Sequence, residues 1–179
     1  MYIQIMSLEY YDELPIDKVL SRGKHSDGVY LLQNKIIKKV YDPNDSDQMQ
    51  YFETEIKNLT YLKEIDCTFV PQIIAINKSN GTIYMTYCGL SIDMLGAFVY
   101  DKYVEEINNK LDILKKYGMI LYAKAQSNYH QIINPKHICL LNNCIYFINF
   151  GSPLWSINSI KESKNDNIKS QVIIDNYSP

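Results

Sequence analysis

Four residues of the types that bind metals lie within one short stretch: His130, His137, Cys139 and Cys144. Imidazole and thiolate are ligands that zinc prefers, but this spacing matches no common structural zinc motif, so we predict no metal site. A cysteine–histidine nucleophile would need a positioned base and an oxyanion site, and the sequence indicates neither.

The charge balance argues against a general nucleic-acid binder. Lys and Arg number 18 against 20 Asp and Glu, for a net charge of -2, which leaves no basic excess to neutralise phosphates or an anionic membrane.

The four cysteines are too few and too irregularly spaced for a disulfide framework, and no apolar run is long enough to cross a bilayer. We expect a soluble protein in a reducing, cytoplasmic setting.

The composition is also skewed toward residues with AT-rich codons. The chain has 25 Ile, 16 Asn, 16 Tyr and 17 Lys, but one arginine, Arg22. An AT-rich virus or parasite is one source of such a skew, and a viral chain would act in the host cytoplasm or in the virion.

The chemistry-bearing residues depend on the elements around them. Short apolar runs alternate with turn residues over 18–40 and predict three antiparallel strands, with a tight turn at Gln33 and Asn34. An amphipathic helix, capped by Ser46 or Asp47, should follow and end near Ile65. Two more strands are predicted at 70–76 and 82–87, which gives an α+β fold with five antiparallel strands and one helix in the first half.

The second half opens with predicted helices at 92–99 and 104–129. Two short strands, ICLL and CIYFIN, then flank a turn at Asn142 and Asn143. The segment 160–169 is polar. The tail over 160–179 is either disordered or completes the second half, with strand pairing at 172–174.

In order and spacing, several strings resemble the protein kinase-like family. KIIK at 35–38 is similar to the Val-Ala-Ile-Lys strand, and EIKNLTYL to the helix whose glutamate pairs with that lysine. IYMTYCG resembles the strand and hinge, HQIINPKHICLL at 130–141 the catalytic loop, and NFG at 149–151 the Asp-Phe-Gly turn. The resemblance implies an ion pair of Lys38 with Glu55, and Lys39 replaces Lys38 if the strand slips by one residue.

The positions that perform phosphoryl transfer in this family are all changed. The resemblance implies that Ile132 replaces the catalytic-loop Asp, His137 the magnesium-binding Asn, and Asn149 the magnesium-binding Asp. Isoleucine cannot accept a proton, and magnesium prefers anionic oxygen. We therefore expect no cofactor, with ATP and magnesium bound only if the chain is an atypical enzyme.

The nucleotide pocket implied by the resemblance is altered as well. His25 stands where the family has its second glycine, and larger side chains, Tyr30 and Ile36, or Ile37 in the other register, would fill the purine slot. The degenerate pocket consists of Gly23, His25, Gly28, Tyr30, Ile36, Met85, Tyr87 and Cys139.

Scaffold positions of the family are kept, by contrast. Leu59, His130 and Phe150 match its apolar column, and Gly151 completes the turn. Only 28 residues follow Gly151, without an Ala-Pro-Glu string. The resemblance thus implies a small lobe over 1–88 and a truncated, mainly helical large lobe over 89–179.

A pseudokinase is the function that this division of residues favours. It would act by binding a protein, such as a host kinase, or a second copy of itself. Two alternatives stay open: a minimal ATP-dependent phosphotransferase, and a structural or virion component.

Overall fold

The alternating apolar runs of the first 40 residues form a β-meander in the computed structural model of the chain, which describes residues 7–23, 25–121, 134–151 and 155–157. Its strands are β1 (Ile16–Gly23), β2 (Ser26–Leu32) and β3 (Ile36–Val40). The turn between β2 and β3 is a single 3-10 turn, Gln33–Lys35, in which Asn34 and Lys35 have left-handed backbone angles. The predicted tight turn therefore lies where expected and includes one more residue.

Two further strands, β4 (Ile73–Asn77) and β5 (Thr82–Thr86), complete a five-stranded antiparallel sheet with the order β1-β2-β3-β5-β4. The turn before β5 requires glycine, because Gly81 has φ +62° and an added Cβ would collide with the carbonyl oxygen of Tyr41. The predicted five-stranded antiparallel sheet is confirmed.

Two helices accompany this sheet. The short α1 (Leu8–Glu13), which the sequence pattern did not predict, precedes β1 and contacts β4. The long α2 (Ser46–Glu64) follows β3 and buries Phe52, Leu59 and Leu62. Its N-cap is Asp45, whose carboxylate accepts from two backbone N–H groups, so the predicted caps, Ser46 and Asp47, are wrong by one or two positions.

The helices of the second half differ from those predicted. After β6 (Leu90–Ser91), α3 (Ile92–Leu95) ends at Gly96, and α4 (Ala97–Lys116) begins directly afterwards. The predicted 104–129 helix is too long, since Gly118 has φ +76° and the chain continues as β7 (Met119–Leu121). The rest of that prediction lies outside the described residues, as does the apolar run at 172–174.

A hairpin of β8 (Ile138–Leu141) and β9 (Cys144–Phe147) pairs with β6 in a second antiparallel sheet. Asn142 and Asn143 both have positive φ, the geometry that a two-residue hairpin turn requires, and the predicted Asn-Asn turn is confirmed. A further short strand, β10 (Trp155–Ile157), pairs with β7.

One cluster of buried apolar side chains includes residues from both halves of the chain, among them Phe52, Ile83, Ile107 and Phe147. The lobe boundary after residue 88 stays a prediction. Within the described ranges, no helix has both the length and the apolar character needed to cross a membrane.

Candidate functional site

A buried ion pair joins the sheet to the long helix. Lys39 on β3 donates from Nζ to Oε2 of Glu55 on α2 at 2.7 Å, and the two residues are 7% and 1% exposed. Lys38, the first of the two predicted partners, is wrong, and the alternative, Lys39, is the one that forms the pair. Lys38 points to the opposite face of the sheet and pairs there with Asp12 of α1, also at 2.7 Å. Alternation along β3 explains the correction, because adjacent residues of a strand face opposite sides.

Tyr41 gives Glu55 a second partner. Its hydroxyl donates to the same Oε2 that accepts from Lys39, and its side chain is fully buried. Burial, and then the negative charge of Glu55, raise the pKa of the Tyr41 phenol. Tyr41 therefore remains a neutral donor. No sequence pattern indicated its role, apart from its place two residues after Lys39.

Asn149 extends the polar contacts toward the second half of the chain. Its Oδ1 accepts from Lys39 Nζ at 3.1 Å, and its Nδ2 lies 3.1 Å from His137 Nε2. Because an ammonium can only donate, the amide oxygen must face Lys39 and the NH₂ group must donate to His137. The residue has φ +67°, a conformation that asparagine tolerates better than most residues.

These contacts determine the state of His137. Its Nε2 must be unprotonated to accept from Asn149, which leaves the proton on Nδ1, a buried atom with no hydrogen-bond partner in the described part of the chain. Burial lowers the pKa of His137, and the positive charges of Lys39 and Lys136 lower it further. The neutral imidazole is thus the form that this site favours.

The turn after Asn149 is held against α2. Asn58 of α2 is 2% exposed and donates from Nδ2 to the Phe150 carbonyl oxygen at 2.8 Å. Gly151 packs so closely that an added Cβ would lie 2.7 Å from the Tyr51 carbonyl oxygen and 3.1 Å from Cβ of Glu55. Phe150 and Leu59, two of the predicted scaffold residues, are both buried in the main core. The third, His130, lies outside the described residues.

A cleft of about 490 Å³ opens beside the ion pair. Val29 and Ile37 of the sheet line one wall, Met85 and Tyr87 lie along β5 and the segment after it, and Cys139 of β8 lines it as well. His25 also borders it and packs edge-on against Tyr51, with 4.4 Å between the ring centroids.

The predicted filling of this space by Tyr30 and Ile36 is wrong, and the other predicted register, with Ile37 at the cleft, is the one that forms. Tyr30 and Ile36 lie on the other face of the sheet, where they pack with Tyr84, because the register places Val29 and Ile37 on the cleft side. Gly28 is buried against the Tyr30 ring, which an added Cβ would strike, and Gly23 pairs with Ser26 where β1 and β2 meet. As far as the described residues show, the space therefore remains open.

The cysteines of the site are neutral thiols. Cys88 and Cys139 are each 4% exposed, and burial raises the pKa of each to about 12. Cys144 lies apart from them, exposed on the β8–β9 hairpin. Over 7–23, 25–121, 134–151 and 155–157, no three His, Cys, Asp or Glu side chains are arranged to hold a metal ion. Ile132 falls outside these ranges.

Comparison of the chain with models of protein families and with curated proteins finds no match. A family can therefore be argued only from the residues of the chain and their geometry.

Proposed function

We propose that this chain is a kinase-like protein that has lost phosphoryl transfer and acts by binding another protein. The contact between Asn149 and Lys39 carries the proposal. In the family that the sequence resembles, the lysine and the helix glutamate orient the phosphates, and an Asp at the position of Asn149 holds magnesium. Here the pair of Lys39 and Glu55 is present, and the residue at the metal position contributes a neutral amide.

The amide oxygen of Asn149 is already engaged. It accepts from an ammonium at 3.1 Å, and a cation approaching the same oxygen would meet the charge of Lys39. His137, the residue at the second metal position, directs Nε2 to Asn149. Magnesium prefers hard anionic oxygen, and neither residue supplies it.

Exposed apolar side chains support binding to a protein. Leu90, Met94, Leu95 and Phe98 lie close together in sequence, from β6 to the start of α4, and we call them the α3 patch. Phe98 is 83% exposed and Met94 is 61% exposed. Large apolar side chains in such a group commonly mark a protein interface.

The open cleft favours a second candidate, a minimal ATP-dependent phosphotransferase. Its volume lies in the range of small-molecule sites, and Lys39 borders it. This candidate requires a base that acts in place of Ile132, and it predicts that ATP with magnesium stabilises the protein.

Incubation with radiolabelled ATP, magnesium and generic substrates separates the two. The proposal expects no transfer and no magnesium-dependent rise in melting temperature. Transfer that Lys39→Ala abolishes, and that the surface variant Lys38→Ala retains, would establish the enzyme instead.

The binding half of the proposal is tested on the α3 patch. Phe98→Asp should remove a protein that co-purifies with the tagged wild type, or should dissociate a homodimer, while Ile113→Asp, an exposed site later on α4, should not. Equal recovery with both variants would show that the patch is not the interface.

A further inference from the structure

Asn149 lies between Lys39 and His137, and its amide offers its oxygen to one of them and its NH₂ group to the other. Lys39 always donates, so the NH₂ group of the amide is left for His137, and the contact forms only while Nε2 of His137 carries no proton. If the amide turned over to offer its oxygen to a protonated imidazole, its NH₂ group would face the Lys39 ammonium. No orientation of this amide satisfies both cations.

Among the described residues, the surroundings of His137 offer no other acceptor for an added proton. The Nδ1 atom is buried without a hydrogen-bond partner among the described residues, so a doubly protonated ring would have two N–H groups without an acceptor. A buried donor without a partner is costly, and a buried charge costs more.

We propose that His137, Asn149 and Lys39 form a pH-sensitive latch, closed while His137 is neutral and opened when His137 gains a proton. When closed, the latch connects β3 to the 3-10 turn at Pro135–His137 through one amide. When it opens, Asn149 loses the contact with His137, and the turn at 149–151 keeps its attachment to α2 through Asn58.

The charged groups around His137 favour this direction. Lys39 on β3 and the neighbouring Lys136 both repel an added positive charge. Glu55 on α2 lines the same cleft, but its charge is paired with Lys39. Asp93 on α3 also borders the cleft and accepts from Ser91 Oγ at 2.6 Å, and Cys88 and Cys139 remain neutral thiols. Asp93 is exposed, so solvent screens its charge, and Lys39 and Lys136 remain the charges that lower the pKa of His137.

The sign of the pH effect follows from the lowered pKa of His137 in the folded protein. Between that pKa and the ordinary value near 6.5, the unfolded chain binds more protons than the folded chain, so stability falls as the pH falls. Asp12 and Glu106 also have lowered pKa values, but the stability that they contribute is lost only near and below their ordinary values of 3.8 and 4.5, so neither accounts for a loss near pH 6.5. The latch does not depend on the proposed function, since it would operate in an enzyme or in a binding protein.

Two substitutions test the latch against a matched control. His137→Gln supplies a neutral amide oxygen that cannot be protonated, and Asn149→Asp supplies a carboxylate that can accept from both Lys39 and a protonated His137. His25→Gln removes a histidine that packs on Tyr51 and takes no part in the latch. Melting temperatures near pH 7.5 and about pH 5.5 are compared for all four proteins.

The wild type and His25→Gln should lose more melting temperature than His137→Gln over this range, because both keep the His137 imidazole, whose pKa is lowered in the folded protein. NMR titration of the wild-type histidines should place His137 below the ordinary value, and the Asn149 side-chain amide signals should change with the same midpoint. In Asn149→Asp, the pKa of His137 should rise above that of the wild type.

Two results would overturn the latch. One is a wild-type His137 that titrates at or above about 6.5. The other is an acid loss of the same size in His137→Gln and wild type. If His137→Gln fails to fold, the NMR titration of the wild type still tests the latch, through the pKa of His137 and the midpoint of the change in the Asn149 amide signals. Phosphotransfer by the wild type would refute the proposed function and leave these outcomes unchanged.

Discussion

Lys39 and Glu55 meet at 2.7 Å in the interior, where the lysine is 7% exposed and the glutamate 1% exposed. Both charges have further partners, since Glu55 accepts from Tyr41 and Lys39 also donates to Asn149. Burying both charges on folding costs solvation free energy, and contacts of this kind are what offset that cost. The pair thus fixes α2 relative to β3, whatever the chain binds.

Removing one partner of this pair should destabilise the protein strongly. Lys39→Met leaves Glu55 as a buried negative charge, and we expect a loss of about 3–5 kcal/mol in the free energy of unfolding, measured by urea denaturation. The double variant with Glu55→Leu should recover part of that loss, because neither buried charge remains.

Lys38→Met is the matched control, one residue away on the other face. Its pair with Asp12 is partly exposed, with side chains 22% and 35% accessible, and should contribute about 0–1 kcal/mol. A larger loss in Lys38→Met than in Lys39→Met would contradict the assignment of the buried pair.

Asn58→Ala should separate α2 from the 149–151 turn. The substitution leaves the Phe150 carbonyl oxygen without the 2.8 Å bond from Asn58 Nδ2, and we expect a loss of about 1–3 kcal/mol in unfolding free energy. Asn108→Ala, at an exposed position of α4, should stay within about 0.5 kcal/mol of the wild type. Equal effects of the two substitutions would argue against an energetic role for the Asn58 contact.

The pattern of apolar residues predicted the sheet and α2 because burial of one face imposes a period on the sequence. It also predicted the Asn142–Asn143 turn, since a two-residue hairpin needs residues that accept positive φ, and both do. The pattern of apolar residues could not decide between Lys38 and Lys39. KIIKK offers two equivalent lysines, and only pairing with β2 and β5 decides which one faces α2.

Other features of the site depend on contacts distant in sequence. Asn58 is a polar residue one turn after Glu55, and nothing local indicates that its partner is a carbonyl 92 residues later. The end of α4 at Lys116 depends on the pairing of β7 with β10 as well as on Gly118. The cleft is open because the strand register places Tyr30 and Ile36 on the other face of the sheet.

Gly28→Ala should disturb the packing on that other face. The Tyr30 ring lies against Gly28, so an added methyl group must displace it from the cluster with Tyr84. We expect a loss of about 1–3 kcal/mol in unfolding free energy. Tyr30→Ala should make room for the added methyl group. In a double-mutant cycle, Gly28→Ala should therefore lower the free energy of unfolding less in the Tyr30→Ala background than in the wild type. Equal costs in both backgrounds would exclude Tyr30 as the reason for glycine here.

Thiol reactivity should separate the four cysteines by exposure. Near pH 7.5, Cys144 should react first with a chromogenic disulfide reagent, because it is exposed, while Cys67, Cys88 and Cys139 are buried with raised pKa values. A pKa of about 12 leaves roughly one Cys139 thiol in 3 × 10⁴ as thiolate at that pH, so unfolding should be needed for rapid reaction. Cys144→Ser should abolish the fast phase and leave the slow phase intact, with Cys139→Ser as the reciprocal control. A fast phase that persists in Cys144→Ser would contradict this expectation, because the reagent would then be reaching a cysteine that the structure buries.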